Sequence, residues 1–285
     1  MTRAARRLHV VQSAVSQAIK RLEQEYGLQL LERRSDGVVP TAAGEELGRH
    51  ARRILTDVER LNADMASYRG HAKGVVNVGV VSTLGSILVA ALVHAVDEEL
   101  PDVTLRIKEG VAAELLESLR LGRLDLVAVV SPVDTEGLVM VPTGQLDLYI
   151  IVPPSHRLAG QQEIRFADVT EEQWISFSPS NPGRRWLDDN SLKAGFRPMV
   201  ASEVETLTQV KAFVEAGHGI SILPRETVEL ELLAQLLCAL RAIDPVPVAP
   251  HGYVYDPRQA RAAVAQVRAV LERGLRGLGH ADDQL

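Results

Sequence analysis

Gln12, Ser13, Ser16, Gln17 and Lys20 combine short hydroxyl and amide side chains with a terminal cation, at spacings that share one face of a helix. Amides and hydroxyls can hydrogen-bond base edges or phosphates, and the lysine can neutralise a phosphate. Arg33 and Arg34 open a basic turn, Arg33-Arg34-Ser35-Asp36-Gly37, before Val38-Val39. That pattern predicts a hairpin able to reach a phosphate or a minor groove. A second set of candidates lies where strands give way to helices: Ser82 and Thr83, Gly110 and Val111, Ser131, Ser178 and Ser180, Glu205 and Thr206. Ligands of open α/β sheets bind beyond the carboxyl ends of the strands, where helix N-termini present free N–H groups. Hydroxyls in such places suit a carboxylate or phosphate, and the expected ligand is a small organic anion. The plainer reading makes Ser82, Thr83 and Thr206 helix caps.

The elements that would carry the first set are two helices with a corner between them. Thr2 can cap the first, Ala4, Ala5 and Leu8 form its apolar side, and His9-Val10-Val11 is the corner. The second helix runs from Gln12 towards Tyr26 and stops at Gly27. Val15, Ile19, Leu22 and Tyr26 form its expected buried stripe, which leaves the polar row outward. From Ala43 to Arg69 a proline-free helix repeats Leu47, Ala51, Ile54, Val58, Leu61, Met65 and Tyr68 at alternating four- and three-residue steps. Such a seam predicts a helix paired with a partner.

From Gly74 the pattern becomes β-rich runs alternating with amphipathic helices. Strands at 75–81, 103–108 and 124–130, with helices at 84–100 and 112–121, predict a parallel, doubly wound unit. A second unit begins near Asp147, with strands at 148–152, 174–178, 199–201 and 220–223. Its helices are expected at 166–172, after Gly183, and at 206–216. A return crossing at 246–249, a strand at 253–255 and a helix at 259–275 rejoin the first unit. Two units joined by two crossings enclose a cleft.

Composition narrows the function. The chain of 285 residues is 46% hydrophobic and 24% charged, with a net charge of −6, which excludes disorder and fibrous repeats. Yet Met1 to Leu22 holds Arg3, Arg6, Arg7, Lys20 and Arg21 and no acidic residue. A basic head on an acidic body suits a polyanion at one end. One cysteine, Cys238, permits no internal disulfide and no zinc cluster and fits a reducing compartment, the cytoplasm. There is no apolar run of membrane-spanning length and no signal-peptide core. The common hydrolase, nucleotide-binding and zinc motifs are absent, so no catalytic residue, metal or cofactor is assigned. His156 and His218 fall in turns and read as structural. Glu226, Glu229 and Glu231 read as a solvated helix edge, and Cys238 as core. Aromatics at 4% favour duplex over single-stranded nucleic acid.

Several segments together carry a family resemblance. Ala-Ala-Arg-Arg-Leu-His, Gln12-Ser13-Ala14-Val15-Ser16, Ile19, Leu22-Glu23, Gly27, Leu30, Glu32-Arg33 and Thr41-Ala-Ala-Gly44-Glu45 resemble the winged helix-turn-helix of LysR-type transcriptional regulators. Pro101-Asp-Val, Leu124-Asp125-Leu, Ser155-His156-Arg157-Leu158-Ala159 and the run from Gly217-His-Gly to Pro224 are similar to the effector domain of the same family. The resemblance departs at Val11, where a capping Ser is usual, at Leu31, where Phe is usual, and at Pro40, where Leu is usual. It also implies one more helix before Thr2, to complete the core around Ala5, Leu8, Val15, Ile19 and Leu22. Without that helix the head exposes apolar surface worth about 25 cal/mol per Å². The expectation is then either a start upstream of Met1 or impaired DNA binding.

The resemblance implies a two-subdomain, periplasmic-binding-protein-like α/β effector domain behind an incomplete winged helix-turn-helix and a long linker helix. The divisions are 1–44 for the DNA-binding head and 45–73 for the linker. The effector domain takes 74–285, with subdomain I at 74–146 and 250–285 and subdomain II at 147–249. The implied partners are double-stranded operator DNA, an anionic small-molecule effector, and further copies of the chain in a homodimer or homotetramer. The alternative is a ligand-binding module that has lost autonomous DNA binding with its first helix.

Overall fold

The computed structural model describes residues 5–6, 10–34, 37–67, 74–259 and 261–278. The chain divides into two compact units, Met1–Asn62 and Ala63–Leu285. Thr2, Leu8, His9, Ser35, Asp36 and Tyr68 lie outside the described residues, so the Thr2 cap and the wing tip do too.

In the first unit, helix α1 spans Gln12–Tyr26. Val11 occupies the N-cap in an extended conformation and offers no side-chain bond, the departure noted at that position. The missing cap costs about 1 kcal/mol. Gly27 ends the helix with φ of 64°, a left-handed conformation that suits glycine. Strands β1 (Leu31–Arg34) and β2 (Gly37–Pro40) pair antiparallel as the expected wing. The stripe on α1 differs from expectation. Val15, Ile19 and Leu22 are only half-buried, and Tyr26 is 54% exposed. Tyr26 is the last helical residue, beside the left-handed turn, and its ring falls outside the packed row.

Helix α2 spans Ala42–Ser67. The Thr41 hydroxyl donates to the Gln29 carbonyl at 2.7 Å and accepts from the Gly44 N–H at 3.1 Å. A side chain at position 44 would put Cβ 2.0 Å from the Leu30 carbonyl oxygen. Thr41-Ala-Ala-Gly44 is therefore a cap and a close approach in one motif. Along α2, Ile54, Val58, Leu61 and Met65 of the predicted seam are exposed, as is Leu55.

In the second unit, β3 (Gly74–Val80) lies between β4 (Val103–Glu109) and β5 (Leu126–Val130), and all three run parallel. Strand β5 is buried on both faces. Leu126, Ala128 and Val130 join the core formed with α3 (Ser82–Glu99), while Val127 and Val129 pack with Leu115, Leu116 and Leu119 of α4 (Ala112–Arg120). That two-sided burial is why β5 reads as an unbroken apolar run.

The crossings are longer than predicted. Strand β6 runs unbroken over Val139–Val152. Following β7 (Glu163–Ile164), β8 (Gln173–Ser176), β9 (Met199–Glu203), β10 (Ser221–Pro224) and β11 (Cys238–Ala242), strand β12 covers Val248–Tyr255 and merges the two runs predicted at 246–249 and 253–255. The sheet order is β4-β3-β5-β12-β6-β11-β7, with β10 also on β6. Strand β12 is antiparallel to β5 and β6, and β10 and β11 are antiparallel to β6. The parallel, doubly wound reading therefore holds for β3, β4 and β5 and not for the crossings. Polar residues such as Thr143, Gln145 and Asp147 interrupt the apolar pattern of β6, which hides its first half.

Helix α5 spans Pro182–Lys193 and α6 Leu207–Glu215. Strands β8 and β9 pair parallel, and Trp174 bridges to Ile220 in the same sense. The helix expected at 166–172 is a single 3-10 turn, Phe166–Val169. A short α7 (Glu229–Leu233) precedes β11, and α8 (Ala262–Arg276) closes the core against α3.

Candidate DNA interface and effector cleft

On α1, Gln12, Ser13, Gln17 and Lys20 are exposed and Ser16 is half-buried. They share the helical face opposite Val15, Ile19 and Leu22, so the packing that holds α1 also turns this row outward. Arg33 and Arg34 are the last residues of β1, at the strand end nearest the wing tip; their side chains lie outside the description.

The cleft candidates fall into two groups that differ in capping. In subdomain I the starts of α3 and α4 lack a side-chain cap. The N-caps of α3 and α4 are Val81 and Val111, which have nothing to offer. Ser82 and Thr83 are thus the first two residues of α3 and not its caps, against the plainer reading. Both are half-buried. Val111 is 55% exposed. The Gly110 N–H is taken by the Val80 carbonyl at 3.2 Å, and the Ser131 N–H by Pro250 at 2.7 Å.

In subdomain II the starts of α5 and α6 are satisfied internally. Asn181 Oδ1 accepts from the Gly183 N–H at 2.8 Å. Thr206 Oγ1 accepts from the Gln209 N–H at 3.3 Å, while Gln209 Oε1 accepts from the N–H groups of both Glu205 and Thr206 at 3.2 Å. Ser178 and Ser180 hydrogen-bond each other at 2.9 Å. Thr206 is therefore the cap that the plainer reading made it, in a reciprocal capping box.

Three charged residues beside these helix starts escaped the sequence reading. The Glu109 carboxylate lies 3.4 Å from where a Cβ on Gly85 would stand, over the first turn of α3, and brings an acid to that helix start. Arg184 is held by Asp188 at 2.9 Å and by the Phe177 carbonyl at 3.3 Å. Its neighbour Arg185 leaves subdomain II and donates through Nη2 to the Pro132 carbonyl of subdomain I at 2.7 Å. Sequence spacing alone could not pair positions so far apart in the chain.

Elsewhere, His156 Nε2 and Arg157 both engage Glu172, which fixes a turn. His218 is exposed with its ring 5.7 Å from Phe213. Glu231 is not on a solvated edge: it pairs with Lys211 at 2.5 Å and its side chain is 16% exposed. Cys238 is half-buried against the core. Among the described residues no group of three His, Cys, Asp or Glu could hold a metal ion, and no helix is long and apolar enough to cross a membrane.

A polar-faced helix with a β wing, followed by a two-subdomain α/β body, defines a DNA-binding protein with a ligand-binding domain. Residues 1–45 match the model described as the bacterial regulatory helix-turn-helix protein, lysR family, and residues 69–276 match the LysR substrate binding domain. The chain belongs to the LysR family of DNA-binding transcriptional regulators, a family of regulators and not of enzymes. It is 31% identical over 219 residues to the transcriptional dual regulator GltC of Bacillus subtilis (strain 168), spanning 75% of this chain and 72% of GltC. It is 28% identical over 256 residues to the hydrogen peroxide-inducible genes activator of Dickeya chrysanthemi, spanning 90% and 84%. Full-length CbnR, solved with its target DNA, shares the fold with a TM-score of 0.75 at 24% identity, covering 96% of this chain and 93% of CbnR. The helix-turn-helix match over 1–45 disfavours the alternative of a ligand-binding module that has lost DNA binding.

Proposed function

We infer that the DNA-binding head (1–44) reads a dyad-symmetric operator through Gln12, Ser13, Ser16, Gln17 and Lys20, with Arg33 and Arg34 on phosphates. The linker (45–73) joins copies of the chain into a homodimer or homotetramer, in keeping with the exposed row Ile54, Val58, Leu61 and Met65. A small organic anion binds in the effector domain (74–285), between subdomain I (74–146 and 250–285) and subdomain II (147–249). It draws on Ser82, Thr83, Gly110, Val111 and Ser131 from one side and on Ser178, Ser180, Glu205 and Thr206 from the other. The effector shifts the preferred angle between subunits, and with it the spacing or bend of bound DNA. A DNA-binding regulator of this family acts in the cytoplasm.

The observation that carries the effector reading is the contrast in capping. Helix α3 starts without a side-chain cap, beside the hydroxyls of Ser82 and Thr83, whereas α5 and α6 are capped. Uncapped N–H groups and a positive helix end favour an anion, which has to share or displace the Glu109 carboxylate over the same turn. A peroxide response, suggested by the Dickeya relative's name, would have to rest on Cys238. A lone half-buried thiol closes no disulfide within one chain, so such a response would have to stop at a sulfenic acid or join two chains.

Gel-shift with the DNA upstream of the gene, with and without a panel of carboxylates and phosphates, tests the proposal. Ser16→Ala and Gln17→Ala should weaken operator binding more than binding to random duplex, and Lys20→Ala should weaken both. Binding of duplexes without sequence preference overturns it.

A further inference from the structure

The hydrogen bond from Arg185 to Pro132 joins the two subdomains by side chain rather than by crossing strand. We propose that it is a latch that holds the effector cleft closed in the ligand-free protein and that an anionic effector releases. This rests on the effector reading above and specifies how the same cleft is regulated.

Three observations carry it. First, Arg185 and its neighbour are partitioned. Arg184 is 15% exposed and tied within subdomain II to Asp188 and Glu203, whereas Arg185 is exposed and spends Nη2 on a neutral carbonyl across the cleft. A carboxylate can take a guanidinium through two parallel bonds and matches its charge, whereas the Pro132 carbonyl accepts one bond and carries no net charge. Exchange of Pro132 for a ligand carboxylate is therefore downhill for this side chain.

Second, the acceptor stands beside the helix start already described. Pro132 follows β5, Ser82 follows β3, and these strands are paired, Val80 with Ala128. Adjacent strands lie about 5 Å apart. The carbonyl that holds Arg185 and the uncapped end of α3 thus share one edge of the sheet.

Third, the latch sits where a small movement is transmitted. The Ser131 N–H is bonded to Pro250 of β12. The neighbouring residue of β12, His251, faces the one irregularity in the β6–β12 pairing, between His251 and Gly252. Thr143 is skipped there, and its hydroxyl lies 3.0 Å from His251 Nδ1. Release at Pro132 is thus felt directly at the crossing strands.

The test uses the full chain with Cys238→Ser and spin labels on cysteines placed at Glu117 of subdomain I and Glu171 of subdomain II, both exposed. Pulsed electron–electron distance measurement is made without ligand or DNA. Arg185→Ala should lengthen and broaden the distance distribution, shifting the open-to-closed ratio about fivefold, or about 1 kcal/mol. Arg185→Lys, which keeps a cationic donor, should restore part of the closed population. Superimposable distributions for the parent and Arg185→Ala overturn the latch. That result is separable from failure of the effector reading, because operator binding and its response to carboxylates are measured on the unlabelled parent.

Discussion

Glu23 on α1 grips the backbone of Leu30. Its Oε1 accepts the N–H of Leu30 at 2.9 Å and that of Leu31 at 3.2 Å, and so ties the recognition helix to the first strand of the wing. Glu23→Ala leaves two part-buried donors without an acceptor and should cost the head about 1–2 kcal/mol. Glu23→Gln, which keeps a carbonyl oxygen, should lose less. Thermal melts and exchange of the Leu30 and Leu31 amides check this, and equal losses for the two variants would refute it.

Gly44 has no room for a side chain beside the Leu30 carbonyl. Gly44→Ala should force α2 and the start of β1 apart, destabilising the head by more than about 2 kcal/mol and abolishing operator binding. The melting transition of the effector unit should stay in place. Calorimetry of the full chain resolves the two transitions.

In the effector unit, Asp125 and Arg261 form a buried pair at 2.5 Å, with side chains 2% and 10% exposed. Asp125 Oδ2 also accepts from the Asn77 backbone at 2.8 Å. Removal of one member strands the other charge, so Arg261→Ala should cost about 3–5 kcal/mol. Chemical denaturation monitored by circular dichroism measures it. A loss below 1 kcal/mol would mean that the pair is dispensable.

His251 is fully buried, and burial pushes its pKa below the ordinary value of 6.5. The unfolded chain therefore takes up a proton first. The stability that His251 contributes is complete above the unfolded pKa and declines as pH falls from about 6.5 towards the lower folded value. The parent should lose more stability between pH 7.5 and 5.5 than His251→Gln. Urea midpoints at the two pH values decide it, and parallel slopes would count against the buried imidazole as the cause.

The exposed row on α2 should control assembly. Leu61→Glu, at a site 56% exposed, adds a charge to the predicted seam. It should shift sedimentation towards the monomer and weaken binding to a two-half-site operator far more than to a half-site. Unchanged sedimentation would argue for another interface.

Legibility from sequence followed how local the deciding contacts were. Helix α1, its stop at Gly27 and the wing were readable because a left-handed glycine, a basic turn and a helical stripe are each set within a few residues. Strand β5 was readable because burial on both faces leaves an unbroken apolar run. Strand β6 was read only in its apolar second half, since Pro142, Thr143, Gly144 and Gln145 give its first half no apolar run, although alternation resumes at Leu146 and Leu148. Ser82 and Thr83 were placed at a helix start correctly, but Val81 took the cap position. Arg185 was missed altogether because its partner Pro132 is contributed by the other subdomain.

Trp174 and Trp186 both belong to the aromatic cluster around Phe166 in subdomain II. Intrinsic indole emission therefore witnesses directly only half of the effector body. A fluorescence trace follows the packing around Phe166, and β3 and β5 enter it only through the apolar core they share with Trp174.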